Sequence, residues 1–371
     1  MRMDKVTIQP SAHGCHSYGD RTMRGKHLIQ LNMSKFFVRN LSIVFVKTAW
    51  RWLSLLIVLR RTSIFRQLKF IGWAYSVSAA DIASIDFKRR RVRVVRYVLK
   101  CALRPRASLD WIKAVYESNV GRFIGKYPQL LLKPHRPYIN RKFSFSQRAR
   151  LVLDHYALAL DKLPQYVFTG VICGKRFTIS GLNGKPGTES YLVTVERANE
   201  LGREGELCLS LRKESTDEAV YRLVFSLGQH YGQPSIYIGC LLGPRDYEAK
   251  TQIRCATKAL NGIRPKNLLM DALYAFASEL GIYRILGISS AERVSQGRAV
   301  RSSYDSFWKS LGGVPDSSGF FQLPSLSNHR NICDVSSHRR AEHKRRMELR
   351  KVLSSNLKQW ITTRSEPAPS K

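Results

Sequence analysis

Arg264 and Lys266, with Gly262 before them and Asn267 after, gather two cations, a turn residue and an amide side chain at the start of a helix. Free main-chain N–H groups and the positive end of the helix dipole converge at such a point, so the chemistry offered is the holding of an anion, above all a phosphate. The plainer alternative is a pair of solvated charges beside an ordinary helix start.

The elements that must position this loop can be read from spacing. In Asn261 to Ser290, NGIRPKNLLMDALYAFASELGIYRILGISS, Leu269, Leu273, Phe276 and Leu280 recur at helical intervals. Ala272, Ala275 and Ala277 add propensity, Pro265 suits the first turn and Gly281 suits a C-cap. Arg284 to Ser289 predicts a short buried strand, because Ile285, Leu286 and Ile288 are apolar. Upstream, the period changes at Tyr166. Val167 to Ser180 and Tyr191 to Glu196 predict strands around the turn-rich GLNGKPGT, residues 181–188. That string departs from a phosphate-binding P-loop because Pro186 stands where the loop needs Ser or Thr. Gly205 to Arg212, Ala219 to Leu227 and Pro234 to Leu242 predict three more strands, and their short connections imply an antiparallel meander. Asp246 to Leu260 reads as helix, Tyr304, Phe307, Trp308 and Leu311 share one helical face before Gly312 and Gly313, and a last extended piece runs from Gly319 to Leu323.

Bulk properties bound the partners. The 371 residues are 44% hydrophobic and 10% aromatic, ample for a folded core, and the net charge of +35 implies acidic partners: an anionic membrane surface, an envelope lipid or nucleic acid. The imbalance is uneven, since residues 1–150 hold 31 Lys and Arg against 6 Asp and Glu. The seven cysteines are odd in number and lack a CxxC pair, which suits a reducing compartment. His13, Cys15 and His16 are too few, in too Gly/Ser-rich a terminus, to argue for a metal, and none is expected.

Five regions follow. Residues 1–32 read as disordered. Residues 33–77 form an apolar and basic segment whose run LSIVFVKTAWRWLSLLIVL, residues 41–59, is long enough to span a bilayer. Lys47 and Arg51 fall on one face of that run, so a helix lying on a membrane surface fits better, with Trp50, Trp52 and the cations after Leu59 as anchors; a helix packed on the main domain is the alternative. The flanks do not suit a secretory signal, which points to a cytoplasmic protein, peripheral on the inner membrane. Residues 78–164 read as a basic helical region, with helices at 108–126 and 146–163 and a stiff link at Pro128, Pro134 and Pro137. Its run from Lys88 to Arg96 carries no nucleic-acid-binding signature, and a solvated helix face is the default. Residues 165–336 form an α/β domain, and 337–371 a basic helix and tail whose default is a solvated or interdomain helix. The fold class expected is α+β, a basic helical half followed by a mixed, mainly antiparallel sheet with flanking helices.

The order of strands, loop, helix, strand, aromatic helix and double glycine resembles the GCN5-related acetyltransferase fold, and YDSFWKSLGG is similar to its penultimate helix and glycine turn. The family's Arg/Gln-x-x-Gly-x-Gly/Ala loop is replaced here by NGIRPK, and Trp308 stands where its acid tyrosine is usual. The resemblance implies acyl-CoA as cofactor, with Gly262, Arg264, Lys266 and Asn267 at its pyrophosphate, the main chain of Leu241 and Leu242 on its pantetheine arm, and Tyr304 protonating the leaving thiolate. Glu206 and Asp246 are candidates for the base, whereas His230, in the turn-like HYGQP, reads as a surface or structural residue. REGELCLSLR, YRLVFSLG, IGCLLGP, NGIRPKNLL, YDSFWKSLGG and HRRAEHKRRMELR together resemble the VirK/YbjX family of bacterial proteins, over roughly Ser78 to Leu353. That resemblance implies a factor in virulence, envelope maintenance and resistance to cationic antimicrobial peptides, with no settled activity. Two functions are therefore expected in competition: an acyltransferase-like enzyme, or a non-catalytic basic protein that binds anionic lipid or nucleic acid.

Overall fold

The computed structural model describes residues 97–363, apart from 98, 102, 125, 184–186, 245–246, 296–302, 328 and 330. These belong to the second of two compact units, residues 66–371. The apolar run at 41–59, the disordered reading of 1–32 and most of the basic segment before Tyr97 lie outside the described residues. Among the described residues no helix is long and apolar enough to cross a membrane.

Among the described residues, helices precede the sheet. Helix α1 (Pro105–Glu117) opens on a proline and buries Trp111, Ile112 and Val115 along one face. Helix α2 (Phe145–Lys162) opens with a reciprocal capping box, in which the Gln147 amide donates to Ser144 Oγ and Ser144 N donates to Gln147 Oε1. Helix α3 (Gln165–Ile172) is a correction, because Val167 to Ser180 reads as strand by hydrophobicity alone. Its buried residues Val167, Phe168, Val171 and Ile172 lie at intervals of one and four, the spacing of a helical face, and the strand waits until Phe177. The proline-bearing link differs as well: Pro128–His135 is a 3-10 helix that buries Leu130, Leu131 and Lys133, not an extended spacer.

The sheet has eight strands: β1 (Phe177–Leu182), β2 (Tyr191–Arg197), β3 (Leu207–Lys213), β4 (Ala219–His230), β5 (Gln233–Leu242), β6 (Arg284–Ile288), β7 (Val314–Pro315) and β8 (Phe320–Leu323). Their spatial order is β1-β2-β3-β4-β5-β6-β8-β7. Every pairing is antiparallel except β5 with β6. The parallel pair needs a crossover, supplied by helices α4 (Ala249–Ala259) and α5 (Pro265–Glu279). Helix α2 packs on β4, while α5 packs on β3 and β4. The short helix α6 (Tyr304–Ser310) follows β6.

Helix α7 (Arg340–Thr362) is docked, not solvated. Leu349, Leu353, Leu357 and Trp360 form one buried stripe, and the helix packs along α5 and β1. One apolar core takes Trp111 and Ile112 from α1, Val152 from α2, Phe225 from β4, Phe276 from α5 and Leu357 from α7. The helical region and the sheet therefore share a single interior.

Candidate functional site

Strands β5 and β6 pair from Ser235 with Arg284 to Ile238 with Gly287, and their pairing ends there. Gly239 follows at once as the extra residue of a bulge, the β4–β5 register passing from Phe225 opposite Ile238 to Val224 opposite Cys240. The residue must be glycine, since a Cβ would drive into the Glu204 carbonyl. Past the bulge, Leu241 and Leu242 continue β5 beyond the paired stretch.

Tyr304 enters at this place. Its hydroxyl accepts from Leu241 N at 3.0 Å and lies 3.1 Å from Leu241 O, to which it donates, with Cys240 Sγ 3.6 Å away. Several contacts hold its helix in register: Tyr304 N donates to Ser290 Oγ, Ser290 N donates to Asp305 Oδ1, and Trp308 Nε1 donates to Ile288 O at 2.8 Å. Trp308 lies over Gly287, where an added Cβ would come within 2.6 Å of the indole. Burial, reinforced by Cys240, raises the Tyr304 phenol far above its usual range and keeps it protonated. The Arg293 guanidinium stands 5.7 Å from the Tyr304 ring centre.

Helix α5 starts at Pro265, where the spacing predicts it, but the residues of the loop before it divide. Arg264 is the exposed N-cap of α5. Lys266 places Nζ 4.2 Å from the centre of the Phe307 ring, beside the helix that carries Tyr304, and burial followed by Arg264 lowers its pKa. Gly262, at a φ of 83°, lies under α7, where a Cβ would meet the Arg346 guanidinium and come within 2.7 Å of Glu342 Oε1. Arg346 Nε donates to the neighbouring Asn261 carbonyl at 2.7 Å. Asn267 Oδ1 is buried without a hydrogen-bond partner; an orphaned acceptor calls for a donor, which the oxygens of a pyrophosphate do not supply. Leu242 is partly buried against Ala198, Cys208, Val224 and Cys240. At the start of α5 only Arg264 is exposed, and the Asn267 and Leu268 amides already donate to the Arg264 carbonyl, so an anion there would meet the Arg264 and Lys266 side chains and the Lys266 amide; the Leu241 amide already has its partner in Tyr304.

Glu206 sits elsewhere, in a closed ionic network. Its carboxylate receives Lys133 Nζ at 2.5 Å, Tyr138 Oη at 2.7 Å and Tyr156 Oη at 2.7 Å, and Glu206 and Lys133 are both fully enclosed. Asp246 lies outside the described residues. His230 ends β4 and lines a cleft of about 380 Å³ beside α2, together with Asp154 and Tyr237. Spacing gave no signal for that cleft, because its walls come from α2, the β4–β5 hairpin and the segment before β8. Among the described residues no group of His, Cys, Asp and Glu could hold a metal ion.

A mixed eight-stranded sheet with one parallel pair, helices flanking it and a buried tyrosine where that pair ends defines an α+β protein with a candidate ligand site at the strand ends. The chain belongs to the VirK/YbjX family: residues 86–359 match the family model described as "Protein of unknown function (DUF535)". It is 27% identical to the Escherichia coli "Uncharacterized protein YbjX", covering 71% of this chain and 82% of that one. It is 24% identical to an "Uncharacterized protein" of Haemophilus influenzae over 64% of this chain and 82% of the relative, and 22% identical to "Membrane protein LapB" of Mannheimia haemolytica over 48% and 79%. No solved structure matches.

Proposed function

We propose that this protein is an acyl-CoA-dependent acyltransferase-like enzyme working at the inner membrane face, in support of envelope integrity, virulence and resistance to cationic antimicrobial peptides. The observation that carries this reading is the end of the β5–β6 pairing at the Gly239 bulge, with Tyr304 beside it and the Arg264–Lys266 loop opening α5. Acyl-CoA, when bound, supplies an activated thioester. Arg264, the Lys266 side chain and the Lys266 main-chain amide would hold its pyrophosphate, and a pantetheine arm along Leu241 would take the place of the Tyr304 hydroxyl on that main chain. Tyr304 is the proton donor in this reading, since its burial keeps the phenol protonated. The printed name of the Mannheimia relative, a membrane protein, agrees with the membrane location.

One observation favours the second reading, a non-catalytic basic protein that binds anionic lipid or nucleic acid. Tyr304 already satisfies both main-chain groups of Leu241, which fills the space a pantetheine arm would need. The +35 charge supplies the attraction, which should then fall steeply with salt.

Thermal stabilisation separates the two. CoA, acetyl-CoA and a long-chain acyl-CoA are added to the full chain, with Arg264→Ala/Lys266→Ala as control. A ligand at a hundredfold excess over its dissociation constant stabilises by about 2.7 kcal/mol. A shift lost in the double variant supports acyl transfer; no shift with any thioester leaves the binding protein as the answer.

A further inference from the structure

Helix α7 carries two sets of cations that meet different surroundings. Those turned toward the body of the protein are paired, Arg346 with Glu342 at 2.8 Å and Arg350 with Asp271 at 2.7 Å. Four others, Arg340, Lys344, Lys351 and Lys358, are exposed and form no ion pair among the described residues. Arg340 donates to the Val335 carbonyl, which carries no charge. At about 100° per residue the four fall within about 40° of one line along the helix, opposite the buried stripe of Leu349, Leu353, Leu357 and Trp360. The row is about 27 Å long, at about 1.5 Å per residue. Among the exposed residues of α7, Glu348 is the one acid.

Local stability does not account for this row. Arg340 and Lys344 stand one turn apart, as do Lys250, Arg254 and Lys258 on the exposed side of α4, which leads into the loop that Arg346 contacts. Like charges at that spacing oppose helix formation. Docking of α7 needs only its apolar stripe, and neutral polar residues on the far side would serve it as well.

An unneutralised straight row fits a partner that is both anionic and flat, because cations along one line of a helix can all meet a plane together. A duplex accepts a helix along its length only inside the major groove, about as wide as the helix itself, and α7 lies against α5 and β1 instead of standing free of them. Single-stranded nucleic acid needs aromatic rings on which bases stack, and none is exposed along α7. A bilayer of anionic lipid has both the shape and the charge, and each Lys or Arg near such a surface strengthens binding about fivefold.

We propose that the outward row of α7 is a docking surface for anionic lipid, with Arg340, Lys344, Lys351 and Lys358 set against the bilayer. It rests on the membrane location in the reading above and not on acyl transfer. It also brings the Arg264 loop beside the lipid surface, since Arg346 of the same helix bonds the Asn261 carbonyl.

The experiment is vesicle flotation of the full chain, with phosphatidylcholine alone and with equal parts of phosphatidylglycerol and phosphatidylcholine. One variant, Lys344→Gln/Lys351→Gln/Lys358→Gln, neutralises the row; a second, Arg106→Gln/Lys113→Gln/Arg150→Gln, removes the same charge from exposed positions of α1 and α2. The wild-type chain should bind the phosphatidylglycerol vesicles in preference to the neutral ones and lose that binding as salt rises. The row variant should bind them at least about tenfold more weakly, and the second variant within about twofold of wild type. Equal binding to both vesicles, equal losses in the two variants, or no loss in the row variant overturns the proposal. So does displacement from the vesicles by a duplex DNA whose own binding is lost in the row variant. The wild-type chain gives a further readout: on the vesicles Lys344, Lys351 and Lys358 should be protected from acetic anhydride while Lys113 stays reactive. No protection of the three overturns the proposal even where a variant fails to fold. No thioester enters these measurements, so failure here leaves the acyl-CoA test standing.

Discussion

Lys133 Nζ lies 2.5 Å from Glu206 Oε1, with neither side chain reaching solvent. The pair is completed on both sides: Lys133 also donates to the Gly202 carbonyl at 3.0 Å, and Glu206 accepts from Tyr138 and Tyr156. It ties the 3-10 helix before α2 to the start of β3, so it acts as a clamp between the helical region and the sheet. Breaking one side leaves an uncompensated buried charge. Lys133→Met should therefore cost about 3–5 kcal/mol, and the double variant Lys133→Met/Glu206→Leu should recover part of that loss. Denaturant midpoints of the single and double variants check this; equal midpoints for wild type and Lys133→Met would contradict the clamp.

Acid should unfold the protein in a defined window. Burial lowers the pKa of His155 to about 4 and that of His135 to about 4. The unfolded chain, whose histidines titrate near 6.5, then binds more protons, so stability present above that pH is lost as pH falls toward 4. Burial by itself would raise Glu206, but Lys133 and His155 outweigh it and its pKa is lowered, which extends the loss below pH 4.5. His155 alone accounts for about 3 kcal/mol of this dependence. Urea midpoints from pH 7 down to pH 4 should fall steeply, and His155→Gln should flatten the profile.

Tyr304→Phe removes the partner of both Leu241 main-chain groups. The cost should be about 1–3 kcal/mol, because the amide and carbonyl are left buried and unpaired. In the acyltransferase reading turnover should also drop about a hundredfold or more through loss of the proton donor. A variant as stable as wild type would show that Leu241 finds another partner.

Gly287→Ala should disturb the site from within the sheet. An added Cβ would come within 2.6 Å of the Trp308 ring, which cannot yield because it is fully buried and donates to Ile288 O. Overpacking of this kind costs about 1–3 kcal/mol. Near-ultraviolet circular dichroism should report the displaced indole, and an unchanged spectrum would tell against the contact.

Arg350 anchors α7 to α5. Its Nε lies 2.7 Å from Asp271 Oδ2, in a pair largely shielded from solvent, and His329 Nε2 approaches Asp271 Oδ1 at 3.2 Å. Arg350→Ala should loosen the C-terminal helix and speed its removal by trypsin, with a stability loss of about 1–3 kcal/mol. An unaltered digestion rate would mean that the Leu349–Trp360 stripe holds the helix without this pair.

Much of the architecture follows from local periodicity. The strands from Tyr191 onward except the two-residue β7, the Pro265 helix with its glycine stop and the short aromatic helix after β6 lie where alternation and helical spacing predict, because side-chain period is a property of neighbouring residues. Val167 to Ile172 is ambiguous by sequence, since a short apolar run suits either state and its packing against α2 and β2 selects the helix. Glu206 is legible as a polar residue at a strand start. Nothing near it reveals Lys133, whose approach requires the 3-10 helix to fold back on the sheet.

The sequence by itself determined the excess of positive charge, most of the order of helices and strands after Tyr191, the glycine and proline punctuation and the family, all encoded over a few residues at a time or by summation. Only the tertiary structure decided which partners those residues meet. It set Tyr304 on Leu241, covered Gly262 with Arg346, enclosed Glu206 with Lys133, and turned His230 from a turn residue into one wall of a cleft with Asp154 and Tyr237. Each of these depends on segments far apart in the chain, whose meeting is fixed by the burial of shared apolar faces and by the pairing of the strands, not by local sequence.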